Sequence, residues 1–414
     1  MSEAGASRRR ARGAVLLAAL LAAATLPACT LVSRGGRVMW PRAGTPAAMG
    51  SGLNEYRVAF HVHCYLSHDS EGTIEEIAEA ARNLGLDTVI LNDHYEAGNI
   101  ARAPRGVHGD ILFIPGVEMR GGGGSIFAFP LRDDFPEELR KEKLLAEFTR
   151  QGAVTVLGHV ETINDWSLEP FQVFEVYNLH AEFSSHPKLE LLVRLAGQRP
   201  DAFFESSIES PKGNLARWDR QLVRGRKLGA IAGHDAHQNI HFLGATIGTY
   251  QEMLRLFSTH VLAEEWTEKG ISEAIRNGRT FVVFEYLASG VGFAMSYGKR
   301  GASASGRAIP GDEVPHEKGH TLEVRAPDVE GPVSIRIVRN GQPLLEADAR
   351  RVEMALPGPG VYRSEVYLKE RMWIISSPIY VGPPGARGEP EAPPPAEAPR
   401  AGEPGPVVEA DLPQ

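Results

Sequence analysis

The residues of this chain that could do chemistry stand at regular places. In Val58-Ala59-Phe60-His61-Val62-His63 the histidines are two positions apart, so strand alternation sends both imidazoles to one side and Phe60 and Val62 to the other. Four further apolar runs end in donors of the same kind: Asn92-Asp93-His94, Gly116-Val117-Glu118, Gly158-His159 and Gly233-His234-Asp235-Ala236-His237. Imidazoles and carboxylates together suit zinc, manganese or iron, and a set this large could hold more than one ion. Two cations sharing a water would lower its pKa toward about 7 and give a nucleophile at neutral pH. His180, His186, His241 and His260 lack such placement, and His108, His316 and His320 read as loop or surface residues. Cys64 follows His63 directly, so alternation turns it to the opposite face as a packed core thiol. The run Gly121 to Gly124 has two readings, a flexible loop over the site or backbone N–H groups that approach an anionic phosphate, and the loop is favoured because no helix N-terminus or lysine follows as in a P-loop.

The elements that must hold these donors can be read from the hydrophobic pattern. Apolar β-type runs fall at Arg57 to Val62, Thr88 to Leu91, Ile111 to Ile114, Val154 to Leu157, Phe171 to Val176, Leu228 to Ala232 and Thr280 to Phe284. Between the first two, Thr73 and Glu76 form a capping box, Ile74, Ile77, Ala78, Ala81 and Leu84 share a helix face, and Gly85 stops the helix. Further helices are expected at Pro136 to Phe148, Lys188 to Leu195, Leu215 to Arg224 and Glu268 to Arg276. The alternation implies a βα fold with a mainly parallel sheet, which gathers its active site at the C-terminal strand ends.

After Tyr286 the pattern becomes all-β, with strands at Thr321 to Arg325, Val333 to Arg339, Val352 to Ala355, Val361 to Tyr367 and Met372 to Tyr380, and Asn340-Gly341 as a hairpin turn. A small β-sandwich is expected there. Residues 383–414 hold ten prolines in 32 positions and almost no aliphatics, the composition of a disordered tail.

At the other end, Arg8, Arg9, Arg10 and Arg12 precede an uncharged apolar run from Ala14 to Leu26, the pattern of a signal peptide. Leu26-Pro27-Ala28-Cys29 resembles a bacterial lipobox, so Cys29 is expected to carry a lipid anchor and the mature protein to reside in the cell envelope, periplasmic and tethered. The whole chain carries 44 Lys and Arg against 52 Asp and Glu, and loss of residues 1–28 removes four arginines and one glutamate, taking the charge from −8 to −11. That balance argues against a polyanion such as DNA as the main partner. The expected division is a signal peptide (1–28), a linker (29–52), a catalytic segment (53–288), a β-sandwich (289–382) and the tail (383–414).

His61-Val62-His63, Ser67-His68-Asp69-Ser70 with Glu76, Asn92-Asp93-His94, Pro115-Gly116-Val117-Glu118, His159 and Gly233-His234-Asp235-Ala236-His237 together resemble the polymerase and histidinol phosphatase (PHP) family of metal-dependent phosphoesterases, over residues 56–286. The resemblance implies a distorted (βα)7 barrel that holds two or three divalent ions and hydrolyses phosphate esters. It assigns metal ligation to His61, His63, His68, His94, Glu118, His159, Asp235 and His237. His61, His63 and Asp235 would then hold one ion and His68, His94 and His159 others, with Glu118 bridging. Glu118, Asp235 and His237 would take part in catalysis, His237 as a ligand or as the acid for the leaving oxygen.

The chain departs from the family pattern in three places. Asp69 could replace His68 as the ligand. No histidine follows Glu118 up to Pro130, which puts a third ion in question. His234 stands where serine is usual, as a solvent-facing donor behind the ligands. Asp69, Asp93 and Glu161 are candidates to orient ligand histidines. The expected substrate is a small or oligomeric phosphate mono- or diester. The alternatives are a carboxyl or carbamate ester hydrolase of the carbaryl-hydrolase type, and a non-catalytic metal-binding envelope protein. Few basic residues near the site would favour the carboxyl ester; Arg120 and Arg279 are the nearest along the chain.

Overall fold

A computed structural model describes residues 45–49, 52–184, 200–242, 244–303 and 306–382. The leader with Cys29, the helix expected at 188–195, His186 and the proline-rich tail lie outside the described residues. No helix among the described residues is long and apolar enough to cross a membrane.

The fold is mixed α/β around one large sheet. Strand β1 (Asn54–Val62) pairs in parallel with β2 (Thr88–Leu91), which pairs in parallel with β3 (Ile111–Pro115). Between β1 and β2 runs helix α1 (Ile74–Leu84), with the expected capping box at Thr73 and Gly85 left-handed at its end. On the other side of β1 lies β8 (Gly229–Ala236), then β7 (Val173–Asn178) and β6 (Val154–Gly158), all parallel. Between β3 and β6 in the chain stand two strands that the hydrophobic pattern did not show, β4 (Val117–Gly121) and β5 (Gly124–Phe129), an antiparallel hairpin continuing from β6.

The glycine run is therefore a hairpin turn, not a flexible loop. Gly121 pairs with Gly124, while Gly122 and Gly123 take φ of 65° and 89°, the pair of positive values that the tightest hairpin turns require. The paired sheet does not close into a barrel. Between β2 and β4 there is only an isolated bridge, His94 to Glu118, and both of those residues belong to the donor set.

One face of the sheet packs Tyr56, Val58 and Phe60 against Ile90, Ile114, Phe127, Val156 and Ile231 from the other strands. The opposite face packs Ala59 and Val62 under Ile77 and Ala81 of α1. Simple alternation would then carry His61 to the helix side. It fails because His61 sits in the left-handed region (φ 61°), where the ladders to β2 and β8 both shift register. That irregularity puts Phe60 and Val62 in different cores and lets His61 and His63 face the same pocket, so the common side expected for Phe60 and Val62 is corrected.

Strand β9 (Ser258–Ala263) pairs antiparallel with the first half of β1 and with β10 (Thr280–Val283). The C-terminal strands join that same sheet, because β17 (Arg371–Ser376) pairs with β10. Beside β17 run β16 (Gly360–Leu368), β13 (Val333–Arg339) and β14 (Gln342–Ala347), with Asn340-Gly341 at the turn between the last two. A separate three-stranded sheet of β11 (Ala294–Lys299), β12 (His320–Arg325) and β15 (Arg351–Ala355) shares a core with them through Met295, Leu322, Val324, Ile335, Val366 and Trp373. Phe281 and Val283 of β10 enter that core as well, so the boundary drawn at 288/289 crosses a continuous sheet.

Candidate metal centre

Strand ends bring the donors together. His61 and His63 come from the end of β1, His94 and Glu118 from the bridge beyond β2 and at the start of β4, His159 from the end of β6, and Asp235 and His237 from the end of β8. Their ligand atoms fall into three overlapping groups: His61, His159 and Asp235; His61, His63 and Glu118; and His63, Asp69, His94 and His237. His61, His159 and Asp235 all have left-handed backbones (φ 61°, 45° and 53°), conformations that cost about 1–3 kcal/mol each and concentrate at functional sites.

Three carboxylates lie between the imidazoles. Glu118 Oε2 is 3.2 Å from His61 Nε2 and 3.3 Å from His63 Nε2, and its Oε1 is 3.4 Å from His159 Nε2. Asp235 Oδ1 is 3.2 Å from His61 Nε2 and 3.5 Å from His237 Nδ1, and its Oδ2 is 3.5 Å from His159 Nε2. Asp69 Oδ2 stands between His94 Nε2 (3.1 Å) and His237 Nε2 (3.3 Å). All of these separations exceed the 2.7–2.9 Å or so of a direct charge-assisted hydrogen bond. They match the roughly 3.3 Å between neighbouring donors that each lie about 2 Å from a tetrahedral ion.

The partners behind the rings fix which nitrogen faces inward. Glu175 Oε1 takes His61 Nδ1 at 2.9 Å, so the neutral ring presents the lone pair of Nε2 to Glu118 and Asp235. Ser67 Oγ donates to Asp69 (2.7 Å) and so receives from His63 Nδ1 at 3.3 Å. His63 Nε2 is then a buried acceptor with no hydrogen-bond partner among the described residues, aimed at two carboxylate oxygens. Lone pairs turned on carboxylates in a buried pocket repel unless a cation lies between them, so the donor set fits divalent metal.

Protons compete with metal for these imidazoles. Burial disfavours charge on His61, but Asp235, Glu118 and Glu175 outweigh it and push it up to about 10; His159 is held up at about 11 by Glu118 and Glu161 in the same way. His63 goes down to about 4 because its burial dominates. Glu118 and Asp235 lie below the usual carboxylate range, where His61 opposes the effect of burial. These are the shifts of carboxylates in want of positive charge.

The open side is a cavity of about 440 Å³ whose walls include Asp69, His94, Glu118, His159, Asp235 and His237. Arg120 also lines it, exposed and without an ion pair or hydrogen bond among the described residues, whereas Arg279 does not line it.

Other expectations need correction. His68 is exposed and stacks on His94 outside the three groups, while the turn after it delivers Asp69 instead. His94 groups with His63 and His237, not with His159. His234 is fully buried, stacked on Phe257, with its ring nitrogens on the carbonyls of Phe60 and Phe257, and does not face solvent. Asp93 holds the backbone N–H and Sγ of Cys64 and orients no ligand, whereas Glu161 lies 3.4 Å from His159 Nδ1. Cys64 is buried, and burial with the nearby Asp93 pushes its thiol up.

Sequence reasoning missed Glu175 and His180. A single acid inside Val173-Phe174-Glu175-Val176 was the available signal for the first. His180, just past β7, is exposed at the cavity wall with its ring 6.2 Å from that of His237.

Comparison with known proteins adds little. No protein-family profile and no curated protein matches the chain. Among solved structures it is similar to a two-domain protein from Bacteroides vulgatus, described as containing a predicted PHP-like metal-dependent phosphoesterase. The two share 17% identity over 82% of this chain and 98% of the other, with a TM-score of 0.41. A likeness of that depth carries no argument, and the function rests on the site.

Proposed function

We propose that this chain is an exported, metal-dependent phosphoesterase of the PHP type that hydrolyses a phosphate mono- or diester, with its first segment a distorted variant of the (βα)7 barrel. The observation that carries the reading is the pair of inward lone pairs, His61 Nε2 and His63 Nε2, both facing Glu118 and Asp235 at the base of an open cavity. His61, His159 and Asp235 would hold one ion and His63, Asp69, His94 and His237 another, with Glu118 between them. Bound divalent ions of zinc, manganese or iron would supply Lewis acidity and an activated water.

The protein groups around them have separate tasks. Ser125 Oγ donates to Glu118 at 2.5 Å and fixes that carboxylate. Arg120, free in the cavity wall, offers charge-assisted hydrogen bonds to phosphoryl oxygens, which favours a phosphate over a carboxyl ester. His237 Nδ1 meets the backbone carbonyl of Asp235 at 3.0 Å, which leaves Nε2, turned on Asp69 at 3.3 Å, for ligation and His180 at the rim to give a proton to the leaving oxygen. The basic and apolar leader ending in Ala28-Cys29 supports export and a lipid anchor as part of the same proposal.

The test is metal analysis of the purified mature chain together with a panel of p-nitrophenyl phosphate mono- and diesters and carboxyl esters. Close to two or more metal equivalents and turnover of a phosphate ester are expected. A metal-free folded protein contradicts the reading, and faster turnover of a carboxyl ester overturns the phosphate assignment.

A further inference from the structure

Glu175 is a carboxylate with no exposed surface, flanked on its strand by Val173, Phe174 and Val176. Nothing about it is left to water. Oε1 lies 2.9 Å from His61 Nδ1, Oε2 accepts the backbone N–H of His159 at 2.8 Å, and Asn178 Nδ2 stands 3.4 Å from both oxygens. Every neighbour is a donor, so only a group that accepts at both oxygens satisfies the set. A glutamine in its place would turn an N–H either on the His159 amide or on His61 Nδ1, and in the second case would favour the wrong tautomer.

A second feature, on a different strand, makes room for that carboxylate. A Cβ on Gly233 would lie 1.8 Å from Glu175 Oε1 and 3.0 Å from His61 Nδ1. The backbone of Gly233 is not left-handed, so conformational freedom does not explain the glycine; close approach does. Gly233 pairs in register with Phe60, the residue before His61, and lies two residues before Asp235.

We infer that Glu175, in the space left by Gly233, is the positioning residue for one of the two metal groupings: it sets the tautomer and aim of His61 and the backbone that presents His159, and has no part in the His63, Asp69, His94 and His237 grouping. This rests on the metal reading proposed above. Carboxylates that orient ligand imidazoles typically contribute ten- to hundredfold in metal affinity.

The test is titration of the metal-stripped full-length chain with Zn²⁺, comparing wild type, Glu175→Gln and Gly233→Ala, with circular dichroism to follow the fold. In both variants one class of site is expected to weaken about ten- to hundredfold while the other keeps its wild-type affinity. Gly233→Ala keeps the carboxylate and only displaces it, so agreement between the variants separates aim from loss of charge. Loss of every equivalent alike in both variants, or of none, overturns the inference. A wild-type chain that takes up no Zn²⁺ refutes the metal reading itself, and is distinguished because the defect then precedes any substitution.

Discussion

Strand β1 carries two buried histidine and carboxylate clusters, one at each end, and they are built differently. At its start, Glu55 and Arg57 meet His260 of β9 and Glu285. His260 Nδ1 is 2.5 Å from Glu55 and Nε2 is 2.8 Å from Glu285, which also takes Arg57 Nε at 3.0 Å and Ser258 Oγ at 2.7 Å. Both ring nitrogens are closed at hydrogen-bond distance, and one guanidinium and one imidazolium face the two acids, although Glu285 Oε2 has no hydrogen-bond partner among the described residues. At the far end His61, equally buried, faces Glu118 and Asp235 at 3.2 Å, His63 Nε2 has no hydrogen-bond partner among the described residues, and a cavity opens beside them. Histidine beside carboxylate is therefore not diagnostic by itself. What separates a closed ion network from a metal centre is spacing, the direction of the ring nitrogens, and whether a cavity opens beside them.

The contrast is broken most severely by removing the β1 pair. His61→Ala with His63→Ala should lose the metal and lower phosphoesterase activity by about three orders of magnitude or more, several kcal/mol of transition-state stabilisation. Metal analysis and kcat/KM check this; retained metal would place the ions elsewhere.

His260→Gln should do the reverse, keeping metal content while losing about 3–5 kcal/mol of stability, because Glu55 is left buried without its partner. The pH dependence sharpens the point. Burial works against charge on His260, but Glu285 and Glu55 outweigh it and hold the group up at about 9, against 6.5 for a free histidine. The folded value is the higher one, so the contribution is complete below about pH 6.5 and is lost as pH rises through about 9, a matter of about 3 kcal/mol. Thermal melts from pH 6 to 10 should show the wild type losing stability more steeply than His260→Gln; parallel slopes would contradict this.

Arg120→Gln should reduce kcat/KM for a phosphate ester by about tenfold or more and leave any carboxyl ester turnover unchanged. Equal loss on both would remove Arg120 from phosphate recognition. The smallest effect is expected from Cys64→Ala, which should keep metal and activity and lose about 1 kcal/mol of stability with the Sγ contact to Asp93. Denaturant unfolding and metal analysis read both, and lost activity at full occupancy would make the thiol functional.

The donors at the ends of β1, β6 and β8 were legible because a polar residue after an apolar run needs no tertiary knowledge. Helix α1 was legible for a similar reason, since its cap and apolar stripe are local. The choice of Asp69 over His68 was not, because it depends on how a turn aims two adjacent side chains. Nor was the left-handed step at His61, which breaks the alternation from which its direction had been argued. The partnership of His260 with Glu55 spans 205 residues, and no local pattern announces it. The β4 and β5 hairpin hid behind four glycines, whose flexibility in the sequence becomes a tight turn once two strands flank it.

The far cluster is spaced for cations, whereas the near one closes both nitrogens of its histidine at hydrogen-bond distance. The direct measurement is anomalous diffraction from crystals of the full-length protein soaked in Mn²⁺ or Zn²⁺. Peaks are predicted among His61, His159 and Asp235 and among His63, Asp69, His94 and His237, with none between Glu55, His260 and Glu285. Absence of density at the first two groups, or equal density at the third, would contradict the account.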